Sequence, residues 1–198
     1  MRIISGSAGG VVLKAPKGLA VRPTPDLVRQ AVFNSLGARV ARARVLELFA
    51  GTGALSLECL SRGAASALCV EKSARHAQFI RLNLEQARLP AASLRILPQD
   101  AFAAIRHLAG DRQQFDLILA DPPYGEKNIG RRSTSFAQQL LDDRALGGLV
   151  AEGGIFVLGH TKRDTLSIPP EWKETKMLKH GDTVMRFLRV AAVSGSSP

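Results

Sequence analysis

The chain is predicted to be an α/β protein: a mostly parallel sheet with helices on both faces and an antiparallel strand at one edge. Three observations lead there. From residue 44 onward, short apolar runs alternate with helix-length amphipathic stretches, the pattern of βαβ units around a parallel sheet. The stretch 171–190 reads instead as two strands meeting at His180-Gly181-Asp182 with no helix between them, which makes that pair antiparallel. The length, 198 residues with 45% hydrophobic, suits one domain with a sizeable core.

Residues 1–21 are rich in glycine and carry two short β-like runs (RIIS, VVLKA), suggesting a hairpin or a loose arm. Thr24-Pro25-Asp26 reads as a helix start, with Thr24 as N-cap, Pro25 at the first helical position and an acid complementing the dipole. Leu27, Val28, Ala31, Val32 and Leu36 then share one helical face, and Asp26, Arg29, Gln30 and Phe33 the other. Phe33 there is either a contact surface or a residue packed beneath the arm. Five buried strands follow at 44–49, 66–71, 93–97, 115–120 and 154–159, with helices near 54–62, 73–88, 101–109 and 135–145. This divides the chain into a basic arm and helix (1–40) on the substrate face, a catalytic domain (41–192) and a tail (193–198).

Charge narrows the partners. Lys and Arg number 27 against 17 Asp and Glu, for a net charge of +10. Residues 1–44 alone carry +7, with Asp26 their only acid. A basic segment ahead of a mixed-charge domain points to nucleic acid. No apolar run approaches the ~18 residues that span a bilayer, and the N-terminal stretch lacks a secretory core, so the expected location is the cytoplasm. Cys59 and Cys69 show no CxxC spacing and no nearby His partners; they are expected to be core residues, with no metal site.

In such a sheet, ligands bind beyond the carboxyl ends of the strands. The first strand ends in Glu47-Leu48-Phe49-Ala50-Gly51-Thr52-Gly53, whose glycines allow a tight turn and close backbone approach. The spacing is not GxGxxG, and the loop opens with an acid, which repels a pyrophosphate but suits a ligand carrying ammonium and sulfonium charges. Glu71 ends the second strand, where an acid accepts both hydroxyls of a ribose, and Asp100 closes the third, within reach of an adenine amine. Three successive acidic strand ends favour S-adenosylmethionine over NAD. Lys72 and Ala101 complete the expected cofactor set, and Gly53→Val is expected to abolish binding with the fold intact.

The fourth strand ends in Asp121-Pro122-Pro123-Tyr124. Successive prolines stiffen the turn, so the Asp121 carboxylate and the Pro122 carbonyl can be offered together as acceptors to the two hydrogens of an exocyclic amine. Tyr124 can stack on a base taken out of its helix. Acceptors on the amine hydrogens favour pyramidalisation and stabilise positive charge developing at nitrogen. Arg22, Thr24 and Arg29 near the helix start, with Lys127, Arg131 and Arg132 just after the turn, are the expected RNA contacts. For Arg22 and Arg29 the competing reading is that they pair with Asp26 and brace the arm.

These features together resemble the bacterial 16S ribosomal RNA guanine-N2 methyltransferase family. The resemblance runs through RIISGSAGG, LKAPKG, Arg22-Pro23-Thr24 with Asp26, Arg29 and Phe33-Asn34, LELFAGTGALSLECLSRGA, VEKS, DPPY and Gly181-Asp182-Thr183 with Phe187. It implies a seven-stranded Rossmann-like class I methyltransferase fold. It also implies action on a guanine of 16S RNA in the small ribosomal subunit or its assembly intermediate; the chain is expected to be a monomer. An Asp heading the DPPY motif is similar to guanine-N2 enzymes, whereas enzymes acting on adenine N6 or glutamine more often carry Asn. Two positions depart from the pattern: Gly159, where relatives commonly place an acid, and His180, where an aromatic is usual. A DNA or other amino-methyltransferase, and a non-catalytic RNA-binding protein on the same fold, are the competing readings.

Overall fold

The computed structural model describes residues 1–16, 25–124, 128 and 131–192. The expectations for Arg22, Thr24 and Lys127 lie outside these residues. The described elements are α1 (Asp26–Leu36), β1 (Arg44–Leu48), α2 (Ala54–Ser61), β2 (Ser66–Val70), α3 (Ala74–Gln86), β3 (Leu94–Leu97) and α4 (Ala101–Gly110). They continue with β4 (Phe115–Ala120), α5 (Phe136–Asp142), α6 (Arg144–Leu149), β5 (Val150–Thr161), β6 (Trp172–His180) and β7 (Thr183–Val190).

The seven strands form one sheet in the order β3-β2-β1-β4-β5-β7-β6. Strands β1 to β5 run parallel, and β7 pairs antiparallel with both β5 and β6. This is the expected class I methyltransferase arrangement. The chain order reverses between β1 and β4, so a crevice opens above their carboxyl ends. The central strands are apolar on both faces because both faces are covered. Val45, Leu117 and Val157 pack on the α1–α3 side, and Leu46, Ile118 and Phe156 on the α4–α6 side.

Local details differ from the sequence reading. The helix expected at 135–145 is two helices, because Asp143 is extended and its carboxylate accepts the Ala145 amide at 2.9 Å. Strand β5 begins earlier, at Val150, and passes through a register shift against β4. Pro25 takes the N-cap position of α1 and has no side-chain cap bond.

The N-terminal segment is docked. Arg2 and Val12 form an antiparallel bridge, and Ile3, Ala8 and Leu13 are buried in the same cluster as Val28, Val32, Phe33 and the sheet. The buried Glu58 of α2 accepts the amides of Ile4 (2.6 Å) and Ser5 (3.1 Å) and pairs with Arg62 at 2.6 Å. The Arg62 guanidinium lies 4.9 Å from the centre of the fully buried Phe33 ring. Phe33 is therefore core and not a contact surface. Arg29 is likewise 1% exposed; it donates to the Arg2 carbonyl and to Asp26 at 2.8 Å. The expected RNA contact at Arg29 is corrected: its charge is spent inside the protein, bracing the arm against α1. Both cysteines are buried and free. No helix among the described residues is long and apolar enough to cross a membrane.

Candidate active site

Strand β1 passes into α2 through a loop whose backbone alternates in handedness: φ is +56° at Phe49, +55° at Gly51 and +77° at Gly53. A bulky residue at positive φ is strained and persists only where its surroundings hold it. Phe49 is held by its ring, which lies 5.5 Å from Phe136 and 6.2 Å from Phe102 between centroids. Gly53 is required twice over, because a Cβ there would stand 2.9 Å from Ile80 Cγ2. Gly53→Val therefore disturbs α2–α3 packing as well, and the expectation of an intact fold is withdrawn. A Cβ at Gly51 would meet nothing within 4 Å, so the space above this turn is open to a ligand. Ala50 and Thr52 complete the loop; Ala50 is buried, its amide bonded to the Val70 carbonyl at 3.0 Å.

The three acids hold this loop in different ways. Glu47 is 3% exposed, and its carboxylate accepts the amides of Leu55 (3.3 Å) and Ser56 (2.9 Å) from beneath the turn. It pins the start of α2 and does not face the crevice, which corrects its expected place among the ligand contacts. Glu71 accepts the Gly51 amide at 2.7 Å and the Ser73 amide at 2.8 Å. A carboxylate has about four acceptor sites, so Glu71 retains capacity for hydroxyls. Asp100 caps α4 through the Phe102 (3.1 Å) and Ala103 (3.3 Å) amides and stays half exposed, with Lys72 Nζ at 4.0 Å. Ala101, beside it, is buried in the core below.

Burial pushes the Glu47 carboxyl up to about 7, against the hydrogen bonds from Ser56 and Leu55. A folded-state value above the unfolded one contributes stability that is complete at low pH and is lost as pH rises through about 7. Glu47→Gln removes this proton linkage while keeping one acceptor. Unfolding free energies from urea titrations between pH 5 and 8 should fall with rising pH in the parent more than in the variant, by on the order of 2–3 kcal/mol. Parallel profiles would show that Glu47 does not titrate there.

Asp121 leaves β4 beside Phe49 leaving β1, since Ala120 is in register with Leu48. Pro122 is buried, and Pro123 and Tyr124 are exposed at the mouth. The Tyr124 hydroxyl lies 3.1 Å from Thr183 Oγ1, so the turn is tied to the start of β7. Asp182 pairs with Lys162 at 2.9 Å and Arg163 at 3.8 Å, placing two exposed cations just past the carboxyl end of β5. Below them, His160 is buried; its Nε2 accepts from Arg186 Nε at 2.9 Å, and its Nδ1 donates to the Thr161 carbonyl at 2.9 Å. Burial and the Arg186 guanidinium push its basicity down, in keeping with a neutral ring. Among the described residues, no group of His, Cys, Asp and Glu could hold a metal ion.

Sequence reasoning missed several members of the site. Asn83, fully buried, donates to the carbonyls of Lys14 (3.0 Å) and Thr52 (3.1 Å), linking arm to loop. Its signal was a lone amide on the apolar face of α3, shared with Ile80 and Leu84. Phe102 and Phe136 open α4 and α5 and complete the aromatic cluster with Phe49, their own rings 6.1 Å apart. Of the basic loop, Arg131 is exposed, but Arg132 pairs with Asp142 at 2.7 Å. It lines a cavity of about 1040 Å³ with Trp172 and Val190. Those residues mark the start of β6 and the end of β7, away from the mouth, so Arg132 is corrected as a mouth contact.

A family model described as Conserved hypothetical protein 95 matches residues 1–189. The chain belongs to this family. It is similar to "Putative rRNA methyltransferase YlbH" of Bacillus subtilis (strain 168), 36% identical over 153 residues, covering 77% of this chain and 82% of that protein. It is 33% identical over 172 residues to Ribosomal RNA small subunit methyltransferase D of Escherichia coli (strain K12), covering 87% and 81%. The solved structure of a hypothetical protein from Thermus thermophilus superposes with a TM-score of 0.79 at 28% identity, covering 96% of this chain and 99% of that one.

Proposed function

We propose that this protein transfers a methyl group from S-adenosylmethionine to the exocyclic N2 amine of a guanine in 16S ribosomal RNA. The observation that carries the reading is the Asp121-Pro122-Pro123-Tyr124 turn standing beside the glycine loop on the adjacent strand. The names of the two relatives support an RNA substrate.

The open turn at Gly51, the carboxylates of Glu71 and Asp100 and the Phe49–Phe102–Phe136 cluster fit S-adenosylmethionine. Bound there, the cofactor supplies a methyl group activated by positive sulfur. The chain's residues do the rest. The Asp121 carboxylate and the Pro122 carbonyl accept the amine hydrogens and orient the nitrogen. Tyr124, its hydroxyl held near Thr183, offers its exposed ring to the extruded base. The aromatic cluster helps keep water from the transfer path.

The RNA grip is assigned to exposed cations: Arg131, Lys162 and Arg163 on the described surface, with Arg22 and Lys127 as further candidates by sequence. Affinity for RNA should fall steeply with salt, with a slope of about 0.7 to 0.9 per phosphate neutralised. Replacing Lys162 and Arg163 with Gln should make that slope shallower by about 1 to 2 with cofactor binding unchanged. An unchanged slope in a filter-binding salt series removes both residues from the interface. The function itself is tested with labelled methyl donor and small-subunit particles from cells lacking the protein, followed by mapping of the modified base. Label on DNA alone, or on no nucleic acid, overturns the assignment.

A further inference from the structure

We infer that the end of the sheet opposite the reaction centre is a second contact surface for the phosphate backbone of the RNA, centred on Arg42, Arg88 and Arg112. The inference rests on the RNA substrate proposed above, though not on methyl transfer. Among the described residues, four that are not glycine have positive φ. Phe49 belongs to the glycine loop; the other three are these arginines, at +62°, +52° and +52°. All three are exposed and precede strands β1, β3 and β4, whose parallel pairing through β2 gathers their amino ends at one end of the sheet. With neighbouring strands about 4.8 Å apart, the stretch from β3 to β4 is roughly 14 Å wide, enough to meet several phosphates.

Helices α2, α3 and α4 end in the same pair of bonds. The Gly63 and Ala64 amides reach the Leu60 and Cys59 carbonyls at 3.0 Å each. Those of Arg88 and Leu89 reach Glu85 and Leu84 at 3.0 and 3.3 Å, and those of Arg112 and Gln113 reach Ala109 and Leu108 at 3.0 Å each. The first residue of each pair enters the left-handed region, where glycine is free of strain, and α2 has glycine there. After α3 and α4 stands arginine, at a left-handed penalty as large as, or larger than, what a cation gains from an exposed helix end. Arg42 follows only the 3₁₀ turn Gly37–Val40, so no α-helix end accounts for it. Its amide bonds to the Gly63 carbonyl at 2.7 Å and joins the entries of β1 and β2. Nor are these charges used within the described part of the protein. Asp116 pairs with Arg44 at 2.9 Å, Asp111 lies 3.4 Å from the His107 ring, and Glu85 and Glu152 pair with none of the three arginines. Strained, exposed and unpaired cations on one face fit a polyanion. Strands of this length set the face roughly 15–20 Å from the mouth, so it meets a different segment of the RNA from the one that carries the target base.

The test uses the full-length parent and the combined variant Arg42→Gly, Arg88→Gly and Arg112→Gly, with a 16S ribosomal RNA transcript as the probe in filter binding across a salt series. Glycine relieves the left-handed strain, so the variant's melting temperature should hold or rise while its grip on RNA weakens. The salt slope should become shallower by about 2 to 3, and affinity near 0.1 M salt should fall by about one to two orders of magnitude. At saturating RNA, kcat for methyl transfer should be unchanged and KM for RNA raised, because this face lies far from the reacting atoms. Lysine at the same three positions keeps the charge and should keep the parent slope. An unchanged slope in the glycine variant overturns the inference, and if its melting temperature also falls, the arginines serve the helix ends alone. A lysine variant as shallow as the glycine one overturns phosphate contact as well. A parent that binds the transcript but methylates no RNA fails the proposed function and leaves the slopes to decide this surface; a parent that binds no RNA overturns both.

Discussion

Asp121→Ala should lower methyl-transfer turnover by about two to three orders of magnitude, the scale for losing one electrostatic contact that strengthens in the transition state. An exocyclic amine is a weak nucleophile because its lone pair is delocalised into the ring. Acceptors on its hydrogens help to localise that pair, and the carboxylate also stabilises the charge that develops as the new N–C bond forms. The variant should fold, because alanine at the end of β4 removes atoms from a partly exposed position and breaks no strand pairing. Cofactor affinity should change little. The glycine loop is held by Glu47, Glu71 and Asn83, none of which depends on Asp121. Single-turnover transfer with labelled donor, beside calorimetry, separates the two quantities. A loss below tenfold would remove Asp121 from the amine.

Gly51→Val should weaken S-adenosylmethionine binding by about two orders of magnitude or more, equivalent to roughly 3 kcal/mol. The position is chosen by comparing the two glycines of the turn. A side chain at Gly53 runs into Ile80, so any loss of binding there is confounded with loss of α2–α3 packing. A Cβ at Gly51 meets nothing within 4 Å, so a side chain there starts out into the open space over the loop. The cost to the fold is confined to holding a branched residue at φ +55°, about 1 to 2 kcal/mol. Calorimetry should therefore show lost affinity in a protein that still melts cooperatively. Affinity within threefold of the parent would mean that the ligand does not pass over this turn, and the cofactor site would have to be placed elsewhere.

Much of this was legible in the sequence because it is local. Alternating apolar runs and amphipathic stretches specify strands and helices through periodicities of two and 3.6 residues, and the observed strands fall where those runs lie. The turns after β1 and β4 were recognisable because glycines and prolines constrain backbone within a few residues of themselves. Given a parallel sheet, both turns had to emerge at the same end.

What the sequence could not determine is the direction of individual side chains whose partners are distant in the chain. Arg29 and Phe33 lie on the polar face of an amphipathic helix, yet both are buried because the first residues of the chain pack over that region. Glu47 reads as a ligand contact by its place at a strand end, but period-two alternation and the start of α2 turn its carboxylate beneath the loop. Arg132 follows the Asp-Pro-Pro-Tyr turn in sequence and is drawn to Asp142 by charge pairing. Gly159 stands out in sequence only as a missing acid; that it lies against Asp121 is decided by the pairing of β4 with β5. Backbone conformation was therefore settled by near neighbours, and the local pattern was sufficient for the fold. The burial and aim of charged groups depend on desolvation and pairing, which only the packed chain decides.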